Sequence, residues 1–126
     1  MSGTLLSAAQ SAEFRRRLEA LAAELDAELR QRRGELAAEH AATSNTFVAG
    51  SEGAVVATDD DRALALMRHE AHELAEVRDA LARLDAGTYG FCSRCGDPIG
   101  EPRLAALPTA KLCLACQSAA EHPAAR

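Results

Sequence analysis

A chain of 126 residues with a formal charge of −5 and aromatics at only 3% has little with which to fill a thick globular core. Alanine supplies 29 of its residues, nearly half of the apolar total, and alanine interleaved with charge suits long, slender helices. The acidic balance argues against a protein that grips duplex nucleic acid, which wants a basic face, and no run nears the roughly 20 apolar residues that cross a bilayer. With no basic start followed by an apolar stretch over residues 1–11, the expectation is a soluble, cytoplasmic chain whose thiols stay reduced, and the chain is taken as a monomer.

Residues 8–40 read as one helix. Phe14, Leu18, Leu21, Leu25, Leu29 and Leu36 follow one another at helical intervals and draw a single stripe. Ser7 with Gln10, or Ser11 just after, can cap its start. Gly34 costs about 1 kcal/mol relative to alanine, which a helix this long tolerates. Arg15, Arg16, Arg17, Arg30, Arg32 and Arg33 are interleaved with Glu13, Glu19, Glu24, Asp26, Glu28 and Glu35, the pattern of a solvated, ion-paired face.

Residues 41–58 lose the period and gather turn formers such as Gly50 and Gly53, which marks a connection. A second helix is expected over 59–86, with the stripe Leu64, Met67, Ala71, Leu74, Val77, Leu81 and Leu84, and with Gly87 as the residue that ends it. Two narrow stripes on helices joined this way fold back as an antiparallel coiled-coil pair, an arm on the order of 45 Å long. The fold class is therefore mainly α. Residues 1–87 form a helical hairpin with its tip near 43–63, and residues 88–126 form a small four-cysteine finger with a C-terminal helix. The tail after Cys116, with Pro123 and small residues, is expected to fray.

The cysteines Cys92, Cys95, Cys113 and Cys116 read C-x2-C-x17-C-x2-C. Two residues between cysteines let a tight turn aim both sulfurs at one ion, and two such turns complete the tetrahedral shell of one structural zinc. Gly96 can take the positive φ of the first knuckle, and the second pair falls on the start of a helix, whose free N–H groups favour thiolate. Four thiolates leave no open coordination position, so no enzyme and no catalytic residue is expected. Ligation would supply stability that a segment with only Tyr89, Phe91, Ile99, Leu104, Leu107 and Leu112 hardly gains by burial. Two disulfides or a redox role for the thiols are the competing readings.

The run from Tyr89 to Gln117 resembles the signature of the DksA/TraR family of C4 zinc-finger proteins. The resemblance is carried by Tyr89–Gly90, Cys92, Cys95–Gly96, Ile99, Arg103–Leu104, Ala106, Pro108, Cys113 and Cys116–Gln117. It implies a regulator that binds RNA polymerase rather than DNA, its arm entering the secondary channel and its hairpin tip altering open-complex lifetime. The expected tip residues are Thr58, Asp59, Asp60, Asp61 and Ala63, of which Asp61 and Ala63 match the family's pattern and Asp59 and Asp60 lie beside it. The family's tip pattern D-x-x-D-x-A, aligned on Asp61–Arg62–Ala63, has Thr58 in place of its first Asp. Physically, Thr58 or Asp59 caps the second helix and the acids answer its dipole. Where family members hold guanosine tetraphosphate with basic side chains, this chain places Glu76, Leu107 and Gln117, which implies action without alarmone coupling. The alternative is an interaction adaptor of the same fold that binds another protein.

His69-Glu70-Ala71-His72 spaces its histidines three apart rather than the four of a zinc-protease helix, and reads as an exposed polar face. Asp59–Asp60–Asp61 does not follow the spacing of a calcium loop.

Overall fold

The computed structural model describes residues 6–45 and 59–122. Helix α1 spans Ala8–Asn45, α2 Asp59–Ala86, α3 Glu101–Ala106 and α4 Leu114–Glu121. Among the described residues the extended structure is a single antiparallel bridge, Phe91 to Pro98, and no helix is long and apolar enough to cross a membrane.

Local chemistry sets the helix ends. The Ser7 amide donates to Gln10 Oε1 at 2.8 Å and the Gln10 amide donates to Ser7 Oγ at 3.1 Å, a reciprocal capping box. Helix α1 runs five residues beyond the expected stop, through residues 41–45, where Ala41 and Ala42 propagate it and no glycine or proline breaks it before Asn45. The rest of the expected connection, with Thr58, lies outside the described residues. Helix α2 starts and stops where its pattern predicts. Gly87 follows it at φ 79, its amide donating to the Leu84 carbonyl at 3.2 Å while the Thr88 amide donates to the Arg83 carbonyl at 2.9 Å. That pair of bonds is a Schellman motif, which needs a left-handed residue at Gly87.

The chain divides into two compact units, Met1–Ala22 with Ala75–Arg126, and Ala23–Leu74. In the first, Phe14, Leu18, Val77, Ala80, Tyr89, Leu104 and Ala110 are buried. Arg15 reaches Asp85 at 2.9 Å, and the rings of Phe14 and Tyr89 lie 5.8 Å apart. Full burial of a leucine such as Leu18 or Leu104 contributes about 2–3 kcal/mol. The finger therefore shares a core with the starting turns of α1 and the closing turns of α2. It gains more from burial than its own segment suggests. The expected list of finger core residues also needs one correction, since Leu107 is 49% exposed while Leu104 carries the burial.

In the second unit Leu25, Leu29, Leu74 and Glu70 are buried. Arg15 pairs with Asp85 in the first unit and Arg32 with Glu70 in the second, so within each unit α1 and α2 lie side by side. The stripe of α1 matches its sequence pattern, and that of α2 matches at Met67, Leu74, Val77, Leu81 and Leu84 but not at Leu64 and Ala71. Ala71 is exposed and Leu64 is 37% exposed, whereas Glu70 is inside. The α2 seam runs through Ala63, Met67, Glu70, Leu74, Val77, Leu81 and Leu84, alternating steps of four and three as a heptad seam does. A search confined to apolar residues steps over the glutamate and selects its alanine neighbour.

Candidate metal centre

The first knuckle is built on backbone bonds. Ile99 donates to the Gly90 carbonyl at 2.7 Å, Cys92 to the Asp97 carbonyl at 2.7 Å, and Gly96 to the Cys92 carbonyl at 2.9 Å. Gly96 sits at φ 82, as the turn requires. The second knuckle opens α4, with Cys113 as its N-cap in extended conformation and Cys116 in the first turn. The expected C-terminal helix runs through Glu121, where Gln117 Nε2 donates to Glu121 Oε2 at 2.7 Å, so fraying does not set in directly after Cys116, and the stretch from Pro123 on lies outside the described residues. The two knuckles are tied together by Ser93, whose amide and hydroxyl both donate to the Lys111 carbonyl, at 2.8 and 3.1 Å.

The four Sγ atoms lie within 4.8 Å of one another. Cys95 and Cys113 are 3.7 Å apart at sulfur, and all four thiols are free. A tetrahedral zinc with Zn–S of about 2.3 Å has sulfurs about 3.8 Å apart, so the set fits one such ion. Its electrostatics fit as well. Burial pushes the Cys92 thiol up, but backbone N–H groups of Cys113, Cys95 and Arg94 prevail and bring it down to about 6. The Cys116 thiol is pushed up to about 12, first by its hydrogen bond to Cys113, then by burial and the remaining sulfurs. At Cys95 the Asp97 amide lowers the value, yet burial and the sulfurs of Cys92 and Cys113 raise it overall. One thiolate is welcomed and its neighbours then resist ionising beside it. A divalent cation removes that conflict.

The other residues singled out from sequence are placed as follows. Asp59, Asp60 and Asp61 form the first turn of α2, and Asp59 Oδ1 pairs with Arg62 Nη1 at 3.2 Å on an open surface. Asp61 is exposed, and Asp60 and Ala63 are half-buried. Glu76 accepts from Lys111 Nζ at 3.4 Å. His69 pairs with Glu73 at 3.3 Å on an exposed face, but Glu70 does not share that face. Sequence reasoning missed α3. The signal was there in Glu101–Pro102 after Gly100, since proline is preorganised for a first helical turn.

A helical hairpin whose helix ends pack on a four-thiol finger defines a class of small zinc-finger protein. Residues 87–122 match the model of the prokaryotic dksA/traR C4-type zinc finger. The solved structure of transcription factor DksA2 from Pseudomonas aeruginosa superposes with a TM-score of 0.73 at 32% identity, covering 93% of this chain and 87% of that one. The chain belongs to the DksA/TraR family, and its cofactor is one structural zinc. Two relatives named RNA polymerase-binding transcription factor DksA are similar over shorter stretches. The protein of Haemophilus influenzae is 42% identical over 48 residues, or 38% of this chain and 33% of that protein. That of Caulobacter vibrioides is 36% identical over 67 residues, or 52% of this chain and 47% of that protein. The matches thus span a third to a half of those relatives' lengths.

Proposed function

We propose that this protein is a non-enzymatic, cytoplasmic transcription regulator that binds RNA polymerase, with Cys92, Cys95, Cys113 and Cys116 holding its zinc. The observation that carries the reading is the likeness to DksA2, because it takes in the hairpin as well as the finger. In this reading residues 1–87 act as a monomeric arm that enters the polymerase secondary channel, and residues 88–126 act as the finger. Thr58, Asp59, Asp60, Asp61 and Ala63 meet the polymerase. The net charge of −5 supports contact with protein rather than with DNA.

The same reading has the protein act without guanosine tetraphosphate. Glu76 already engages Lys111, Gln117 engages Glu121, and Leu107 is apolar, so a multiply charged anion finds no unopposed cation among these three positions. An in-vitro transcription assay tests the function. Asp61→Asn should weaken the effect on promoter output and Thr58→Asp should strengthen it, while polymerase binding persists. If neither substitution changes output, the tip assignment fails. If polymerase is not captured at all, an adaptor of the same fold for another protein replaces this reading.

A further inference from the structure

Between α3 and α4 the chain runs without regular structure from 107 to 113, and it delivers the second cysteine pair. Several of its carbonyls accept from side chains of the same unit, and a further side chain reaches the end of α3 just before it. Arg17 Nη2 donates to the Ala105 carbonyl of α3 at 3.1 Å, and the Tyr89 hydroxyl donates to Pro108 at 2.7 Å. Arg83 spans two successive carbonyls, Nη2 to Thr109 and Nη1 to Ala110, each at 3.4 Å. Arg103 Nε donates to Leu112, directly before Cys113, at 3.1 Å.

Arg83 is itself fixed. Its side chain is 14% exposed, its Nε pairs with Asp79 at 3.2 Å, and its guanidinium lies 5.8 Å from the centre of the Tyr89 ring. A planar fork can bridge adjacent carbonyls in a way that a lysine ammonium cannot. Its own main-chain carbonyl accepts from Thr88 and Tyr89, so one residue both closes α2 and grips the segment before Cys113.

We propose that Arg83 and Arg103 are positioning residues of the zinc site, holding the 105–112 segment so that Cys113 and Cys116 meet the first knuckle, and that Arg83 thereby couples zinc occupancy to the last turn of α2. The 17-residue spacer between the cysteine pairs must be ordered before four sulfurs converge. When side chains hold that segment beforehand, metal binding bears less of the ordering cost. The coupling works in both directions. If the clamp tightens zinc binding, bound zinc must tighten the clamp by the same factor. The inference rests on the four-cysteine assignment and is independent of any partner.

The test uses the full chain. Zinc affinity is measured by competition with a chromophoric chelator for wild type, Arg83→Ala, Arg83→Lys, Arg103→Ala and, as a surface control, Arg16→Ala, whose side chain is 67% exposed and pairs with Glu13 on its own helix. Arg83→Ala and Arg103→Ala should each bind zinc about 10–100-fold more weakly, the range for outer-shell residues. Arg83→Lys should recover part of the loss, and Arg16→Ala should stay within about twofold of wild type. At saturating cobalt the variants should keep the thiolate charge-transfer bands of a four-sulfur site, since the ligands are intact. Equal affinity in Arg83→Ala and Arg16→Ala would overturn the proposal. In wild type, hydrogen exchange reads the reverse direction and needs no variant to fold. Zinc removal should speed exchange at Thr88 and Tyr89, whose amides rest on the Arg83 carbonyl, and unchanged exchange there also overturns the coupling. A wild-type chain without cobalt–thiolate bands would sink the ligand assignment itself.

Discussion

The polar break in the hairpin seam allows a prediction with an asymmetry built in. Arg32 Nε donates to Glu70 Oε1 at 2.9 Å, but the two side chains are unequally placed, Glu70 being 8% exposed and Arg32 37%. Replacing Glu70 by leucine frees an arginine that can turn its head into water while its stem stays packed. The loss should be about 1–2 kcal/mol, between an exposed pair and a buried one. Replacing Arg32 by methionine instead strands a carboxylate inside the seam, with the Glu28 carboxyl beside it. That loss should be larger, about 2–4 kcal/mol. The double variant Arg32→Met with Glu70→Leu should lie near wild type or above it, since a packed apolar layer replaces a desolvated pair.

Urea titrations of the zinc-loaded protein, followed by far-ultraviolet circular dichroism, would give the three differences and the coupling energy of the cycle. A coupling of about 3–6 kcal/mol is expected, the sum of the two single losses when the double variant matches wild type. If Glu70→Leu costs as much as Arg32→Met, the exposure argument is wrong. If the single losses simply add, the pair is an incidental contact and the seam is held elsewhere.

Two glycines should respond in opposite directions to alanine. Gly34 lies inside α1 with nothing within 4 Å of an added Cβ, so Gly34→Ala should raise stability by about 0.5–1 kcal/mol, whereas Gly87→Ala has equal room but a φ of 79 and should lose about 1 kcal/mol; thermal melts of both would decide. Glu28 has its carboxyl raised, first by a hydrogen bond to Glu70, then by burial and by the Glu70 and Glu24 charges, against Arg32. A raised folded value means that its stabilisation is present below the unfolded value and lost as pH rises through the folded one, so Glu28→Gln should melt higher than wild type at pH 7 and lose that advantage in acid. Burial pushes the Tyr89 hydroxyl up to about 12, against the charges of Arg83 and Arg17. Its contribution is complete below about pH 10, where the unfolded chain titrates, and about 2–3 kcal/mol is lost as pH rises toward 12; urea midpoints across that window should fall for wild type and flatten in Tyr89→Phe.

Features written in short-range rules were legible in the sequence. Ser7 with Gln10 forms the capping box its spacing implies, α2 occupies its expected span, Gly87 and Gly96 hold left-handed turns, and the cysteine spacing brings four sulfurs together. Features that depend on which group meets which were not. Nothing in the pattern of α2 distinguishes Glu70 from the charged residues around it, because a buried carboxylate is admitted by its partner across the hairpin rather than by its own periodicity. The arginine bonds to the 105–112 carbonyls have no period at all, since side-chain bonds to irregular backbone follow from shape. The stop of α1 was misplaced for a simpler reason: residues 41–45 offer no apolar stripe, and a helix end needs none.

The shared core also changes what zinc has to do. Judged on its own segment, the finger has too few large apolar residues to fold by burial, and the metal looks like its sole staple. In the unit as it stands, Tyr89 packs near Phe14, Leu104 is fully buried, and α1 and α2 contribute Leu18, Val77 and Ala80 to the same interior. Those contacts do not pass through sulfur. Chelation should therefore act locally. Circular dichroism should keep most of its helical signal, because α1 and α2 have their own seam, whereas the knuckles, held by the Ser93 bonds to Lys111 and by the start of α4, should lose protection from exchange. Cooperative loss of the whole helical signal on removing zinc would refute this division and return the metal to the place that the cysteine spacing alone suggests.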